Sequence, residues 1–483
     1  MEQTRTRKLT EKERAELDRV TEVILQAKEK AYRETDSEPE PELTSAVDWP
    51  VQCTVGPGLE GAIAAETKIG YVNGTKGSLI YRGYDIFDLC AHSTFEETSY
   101  LLLHGRLPST AELTQFTALL KRKMLIPRTH RLLMTFPVEE MLPMAALRLG
   151  TNLMRQKQTF RDQDTFLAEA KDHIATDDDS IPMETPPKGE KRSVFEFIRH
   201  IFSRPETAPS DLISSEEMES CYNLIGGVAS VAAGIGRIRQ GRMPLEPLPD
   251  LSLAGNYLYM LTGRRPTPLE ERVMDVCLIL HADHGMNAST FAAMVVASTL
   301  SDVYFAIGSG IAALSGPLHG GANVEVVQVL EEIGSPKNVT EWYKRAIKEH
   351  RKVPGFGHRV YKAYDPRARV LGPLSAMLAE ADDNLKPLYE TASKLEGEVV
   401  AALSEKKKIF PNVDFYSGIV YRSMGIDPHL YTTIFAVSRV AGWCARVMEY
   451  LEHNRIFRPR AIYTGTLNEQ YVPIDQRSQP KGS

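Results

Sequence analysis

Apolar residues return every three or four positions along most of this chain, the period of an amphipathic helix. The pattern predicts helices over Phe95–His104, Thr110–Leu125, Met141–Met154, Cys221–Gln240, Leu251–Met260 and Pro268–Ala282. It resumes over Ala288–Ser301, Asp302–Leu314, Val324–Gly334 and Val339–His350, continues in segments from Arg367 to Lys408, and closes with Thr432–His453. The breaks are short and rich in Gly or Pro. Strand signal is confined to one hairpin, Ile69–Val72 and Ser78–Arg82. There Asn73-Gly74 suits the positive φ angles of a type I′ turn. The expectation is a mainly α protein with little sheet.

Two intervals break the pattern. In Thr10–Arg33 the residues Leu17, Val20, Ile24, Ala27 and Ala31 share one helical face, and an acidic, Pro-spaced run over Ser37–Glu42 follows. Residues 1–50 therefore read as an N-terminal extension, a solvated tail in preference to a helix docked on a partner subunit. Residues 156–215 hold Asp177-Asp178-Asp179 and the run Pro186–Arg192, which suits a flexible surface insertion carrying no chemistry. A polar tail covers 471–483.

Composition narrows the class. With 483 residues the chain is long enough for two or more domains. A net charge of −6 argues against a nucleic-acid partner, which would call for a basic excess. The five cysteines lack CxxC spacing, so reduced thiols in the cytoplasm are expected, without a zinc site. Apolar runs read as too short and too broken to span a bilayer, and the glutamate-rich start does not suit a presequence.

Four short stretches set ionisable groups among Gly, Pro and Asn: His281-Ala282-Asp283-His284, the His319 loop, Val353–Arg367 and the turn around Asp414. In the third, Pro354, Gly355 and Gly357 precede His358, Arg359, Lys362 and Arg367. A loop delivering an imidazole and then guanidinium groups suits a carboxylated or phosphorylated small molecule. Taken singly each is weak: a histidine in an apolar setting is more often a satisfied core residue than a catalyst, and the Val353–Arg367 loop reads equally well as a helix start with a solvated basic face. His281, Asp283 and His284 have the donor types of a metal site, but no further ligand stands at metal-site spacing, so none is expected.

Together, in chain order, GLEGAIAAETKIGYVNGTKGSLIYRGYDI, HADHGMNAST, GPLHGGAN, VPGFGHRVYKAYDPR, NVDFYSG and FAVSRVAGW resemble the citrate synthase family over roughly 51–155 and 216–470. The resemblance implies condensation of acetyl-CoA with oxaloacetate and hydrolysis of the thioester to citrate and CoA. It implies that Asp414 is the base, that His319 donates to the thioester oxygen, and that His358 polarises the oxaloacetate carbonyl. His284, Arg367, Arg439 and Arg458 would bind the dicarboxylate, with Arg458 reaching across a homodimer. Lys362 would lie near the CoA phosphates, and the backbone of Val353, Pro354, Gly355, Phe356 and Gly357 beside the adenine. No tightly bound cofactor is implied; acetyl-CoA is a co-substrate. The implied fold is a large helical domain, 51–316 with 425–470, into which a smaller helical domain, 317–424, is inserted. A homodimer or higher homo-oligomer in the cytoplasm is expected, with no nucleic acid and no membrane. Gly285 and Met286 depart from the acidic residue that many relatives carry there, which leaves propionyl-CoA and 2-methylcitrate open as an alternative. A non-catalytic helical scaffold is the alternative from another class.

Overall fold

The structure, a computed structural model, describes residues 9–38, 47, 49–155 and 216–477. The 156–215 insertion, residues 39–42 of the acidic run and 478–483 of the tail lie outside the described residues. The first helix, α1 (Glu11–Thr35), opens on a capping box in which Thr10 and Glu13 satisfy each other's backbone N–H groups. Its stripe of Val20, Ile24, Ala27 and Ala31 is buried. This face lies against α2 (Ile86–His92) and against two later helices of the same chain. Polar contacts reinforce it: Lys28 pairs with Asp88 at 2.5 Å, Tyr32 donates to Asp85 at 2.9 Å, and Arg19 pairs with Glu380 at 2.7 Å. The solvated-tail expectation is corrected. Alanines at 27 and 31 let the helix sit close to its own domain.

A three-stranded antiparallel sheet follows, β1 (Gly70–Asn73), β2 (Ser78–Tyr81) and β3 (Tyr84–Asp85), in the order β1-β2-β3. Its first turn is not the expected type I′. Asn73 and Gly74 keep negative φ, and Asn73 Oδ1 instead accepts from the N–H groups of Thr75 at 3.1 Å and Lys76 at 3.0 Å. This Asx turn makes a longer loop whose left-handed residue is Gly77, at φ 61°. Gly74 is needed for a different reason: a Cβ there would lie 2.3 Å from the Val360 carbonyl oxygen.

The remaining helices of the first part are α3 (Phe95–His104), α4 (Thr110–Lys123), α5 (Pro127–Leu133) and α6 (Pro143–Leu153). Then come α7 (Glu216–Ile238), α8 (Leu253–Thr262), α9 (Pro268–His281), α10 (Ala288–Ser298) and α11 (Val303–Leu314). The chain continues with α12 (Ala322–Ile333), α13 (Val339–Lys348), α14 (Pro366–Ala381), α15 (Lys386–Lys407), α16 (Val413–Ser423) and α17 (Tyr431–Glu452). Starts are marked by side-chain caps such as Thr94, Ser109, Thr267, Asn287 and Asp302, each accepting an otherwise orphaned N–H.

Helix α7 corrects the expectation about apolar runs. It has 23 residues and is long and apolar enough to cross a membrane, yet 89% of its apolar window is buried inside the protein. It is a core helix, packed between α4, α6, α8 and α17. Helices α12 to α16 pack chiefly on one another. Helices α1, α2 and α9 reach across to α14, the helix that carries Arg367 in its first turn.

Candidate active site

Arg367 and Arg439 form the electrostatic centre of the site. Arg367 is on the first turn of α14, and Arg439 is in mid-α17. Both are buried, at 3% and 5% exposure. Burial holds the imidazoles of His281 and His284 well below their ordinary pKa, and the charges of both arginines push the same way. His319 is held down to about 4 by burial and by Arg439, and His358 to about 4 by burial and by Arg367. All four are therefore neutral near pH 7. Asp414 moves in the opposite sense: burial raises it to about 6, with Arg367 and Arg439 resisting the rise. Burial and the neighbouring Arg367 push Arg439 down to about 10.

The arginines differ in their partners. Arg367 makes a bidentate pair with Asp365, Nε to Oδ1 at 3.0 Å and Nη2 to Oδ2 at 2.8 Å. Asp365 is also the N-cap of α14 and accepts from the Val413 N–H at 3.2 Å, so it ties the start of α14 to the start of α16. Arg439 donates from Nε to the His281 carbonyl at 3.3 Å and forms no ion pair with a carboxylate among the described residues.

Hydrogen bonds fix which nitrogen of each imidazole carries the proton. The Ser289 N–H, in the first turn of α10, donates to His319 Nε2 at 3.2 Å, and Ser289 Oγ lies 2.8 Å from the same atom. A backbone N–H can only donate, so Nε2 is the acceptor and the neutral ring carries its proton on Nδ1. In His358 the arrangement is mirrored: Nδ1 accepts from the N–H groups of Val360 at 3.0 Å and Tyr361 at 3.1 Å. Its proton is on Nε2. Each ring is left with one N–H donor for a ligand.

His284 places Nε2 3.3 Å from the Tyr361 hydroxyl, and its ring centre is 5.2 Å from that of His358. His281 places Nε2 2.8 Å from the Tyr421 hydroxyl and stacks on Phe435. Asp283 is gripped by Arg446. The three side chains of this stretch thus diverge onto Tyr421, Arg446 and Tyr361, and do not converge as metal ligands would.

Asp414, expected in a turn, is on the first turn of α16, where the Asn412 cap accepts its N–H at 3.0 Å. The segment 355–357 runs alongside 410–412: Asn412 donates its N–H to the Gly355 carbonyl at 2.8 Å and its Nδ2 to the Gly357 carbonyl at 2.9 Å. This brings Val353, Pro354, Gly355, Phe356, Gly357 and His358 beside the start of α16. Lys362 is exposed, anchored by its N–H to the Gly74 carbonyl at 2.8 Å. Arg458 is not brought to the cluster. It is exposed beyond α17, on a segment held at Phe457, whose N–H donates to Ser298 Oγ at 3.2 Å. Sequence reasoning missed Ser289, Asp365, Tyr361, Tyr421 and Arg446. Asp365-Pro366 does read as a cap followed by a first-turn proline, a signal that could have marked Asp365.

The family model for the citrate synthase C-terminal domain matches residues 58–460. The chain is 38% identical to a citrate synthase of Haloferax volcanii, over 87% of this chain and 98% of that protein. It is 37% identical to citrate synthase 2 of Bacillus subtilis, over 87% of this chain and 99% of that one. Among solved structures, citrate synthase from Pyrobaculum aerophilum is similar at a TM-score of 0.72 and 38% identity, covering 90% of this chain and 100% of that chain. A Thermoplasma acidophilum citrate synthase, solved with carboxymethyl coenzyme A and oxaloacetate, is similar at 0.71 and 31% identity, covering 88% and 100%.

Proposed function

The chain belongs to the citrate synthase family, and from that premise we propose how its own residues carry out the reaction of that acyltransferase. The reaction joins acetyl-CoA to oxaloacetate and hydrolyses the resulting thioester. Removing a proton from a thioester methyl group near pH 7 is difficult because the carbanion is poorly stabilised. Asp414 takes this proton, and its pKa, raised to about 6, makes it a stronger base than an ordinary carboxylate while leaving it mostly ionised at pH 7. The Nδ1–H of His319 donates to the thioester oxygen as enol charge develops there. The enol carbon then attacks the oxaloacetate keto carbon, whose oxygen takes the proton from His358 Nε2–H. Water then gives a proton back to His358 as it attacks the citryl thioester carbonyl, the C–S bond breaks, and CoA leaves as the thiol with the proton that Asp414 had taken.

Arg439, with no carboxylate partner among the described residues, receives one carboxylate of the dianion. Arg367 and His284 stand beside it, and Arg458 from a second subunit completes the pocket. Lys362 and the 353–357 backbone face the nucleotide end of CoA. A homodimer is part of this reading, because Arg458 is exposed and makes no hydrogen bond or ion pair with its own cluster among the described residues. Closure of 317–424 over the rest would exclude water until condensation is done. The observation that carries the reading is the pair of opposite tautomers: two neutral imidazoles, each with one donor fixed by backbone N–H groups. The relatives are named citrate synthases, which does not favour propionyl-CoA as the physiological acyl donor. The purified chain should release CoA thiol from acetyl-CoA only when oxaloacetate is present, with a higher kcat/KM than with propionyl-CoA. The opposite ranking would overturn the assignment.

A further inference from the structure

The turn that carries His284 is held by one face of α17. Arg439, Gly442 and Arg446 recur at i, i+3 and i+7, so all three face the same way. Arg439 donates to the His281 carbonyl at 3.3 Å, and the Gly442 N–H donates to the Ala282 carbonyl at 3.1 Å. A Cβ at position 442 would lie 2.1 Å from that carbonyl, so glycine is what allows the turn to come so close. One turn further on, Arg446 grips the next residue. Its Nε lies 2.6 Å from Asp283 Oδ1 and its Nη2 2.8 Å from Oδ2, and both side chains are 1% exposed. Four of the five guanidinium N–H donors are taken, because Nη1 also donates to Thr67 Oγ1 at 3.3 Å and Nη2 to the Gly70 carbonyl at 3.2 Å. Asp283 in turn accepts the Gly285 N–H at 3.1 Å, and its own carbonyl accepts the Tyr81 hydroxyl at 2.8 Å.

His284 lies between these two fixed neighbours, so the Arg446–Asp283 pair sets where its imidazole points. The pair has a second consequence. Asp283 is buried close enough for its charge to act on Arg439. A buried carboxylate without a partner is strongly disfavoured and is drawn to the nearest cation. Arg439, the arginine left free for a substrate carboxylate, is a cation that this charge already reaches. We propose that Arg446 is a positioning residue for oxaloacetate: by clamping Asp283 it holds His284 in place and keeps Arg439 available. This rests on the assignment of Arg439 and His284 to the dicarboxylate made above.

The test is a comparison of kcat and of KM for each substrate in wild type, Arg446→Met, Arg446→Lys and the double variant Asp283→Asn with Arg446→Met. Misplacing a substrate-binding group by an ångström costs on the order of 10²-fold, so Arg446→Met should raise the oxaloacetate KM at least ~10-fold. The acetyl-CoA KM should stay at the wild-type value. Lysine keeps the charge but not the fork, so Arg446→Lys should recover part of the loss. The double variant removes the stray carboxylate and should fall between wild type and Arg446→Met. It also leaves no buried charge unpaired, so it carries the test if Arg446→Met does not fold. A merely structural role predicts fewer active molecules with both KM values unchanged, and that result in every folded variant would overturn the proposal. The two KM values rising by the same factor would overturn it too. If wild type releases no CoA with oxaloacetate, the functional reading itself fails and takes this inference with it. If wild type turns over and the variants match it, only the inference fails.

Discussion

Substituting Asp414 by asparagine should cost activity and add stability, and the two effects share one cause. Burial raises the carboxyl pKa from 3.8 to about 6, which means the folded protein resists its ionised form. That difference corresponds to roughly 3 kcal/mol, at 1.36 kcal/mol per pKa unit. The sign follows from linkage: a carboxyl whose folded pKa lies above its unfolded one costs nothing below pH 3.8. The cost builds as pH rises and is complete above about pH 6. Asparagine is nearly isosteric and stays neutral, so the variant escapes it. Denaturant unfolding of both proteins at several pH values isolates this group, because every other titration cancels in the difference. The variant should match wild type near pH 4 and exceed it by up to roughly 3 kcal/mol at pH 8. Turnover at pH 8 should fall by at least about 10²-fold, the minimum worth of a general base. Wild-type kcat/KM should fall below about pH 6 as Asp414 protonates, with no further inflection at 6.5, since His319 and His358 are both held near 4. A variant retaining more than about a tenth of wild-type turnover would remove Asp414 from the role of base. A stability difference that does not change with pH would refute the claim that burial strains it.

Two more outcomes are expected. The docked face of α1 predicts that Ile24→Ala lowers the unfolding free energy by about 2–5 kcal/mol, the range for a buried large-to-small change. A shift in denaturant midpoint of the size seen at exposed positions would restore the tail reading. For Arg458, mixed dimers of Arg458→Ala and Asp414→Ala subunits should regain one working site per dimer from two inactive parents, because the site with intact Asp414 borrows its neighbour's intact Arg458; inactive mixed dimers, with both parents folded and inactive, would place Arg458 in its own subunit.

The helices were legible because their period and caps are local. Phe95–His104 is observed where the pattern predicts it, and Thr432–His453 differs from α17 by one residue at each end. The errors arose where one residue type has two uses. Asn73-Gly74 reads as a tight turn, but the Asn73 side chain closes a wider loop and Gly74 serves a close approach to Val360. Asn412-Val413-Asp414 reads as a turn, although Asn412 is a helix cap. Ala27 and Ala31 share an apolar face with Val20 and Ile24 in the sequence, but nothing local marks that their small size lets α1 dock. In the site, the groups proposed to do chemistry were legible by residue type and setting, while the pairings that orient them were not. Ser289 meets His319 across 30 positions, Asp365 meets Val413 across 48, and Arg446 meets Asp283 across 163. No local period carries such pairings.

What makes the two donor histidines dependable is that their tautomers are set by backbone. A hydroxyl can rotate and a carboxylate can titrate, but the N–H groups of Val360, Tyr361 and Ser289 can do neither. Their directions are fixed by the chain around them. The His358 loop is pinned on one side by the β1–β2 loop, through the Lys362 N–H on the Gly74 carbonyl, and on the other by Asn412. The Ser289 N–H is fixed by the start of α10, where Asn287 Oδ1 accepts it at 3.1 Å while it also points at His319. Protonating either ring would therefore set a new N–H against existing N–H donors, in a site that already holds two buried arginines. Burial and backbone geometry act in the same direction, and the imidazoles stay neutral, each with its single proton on the face left open.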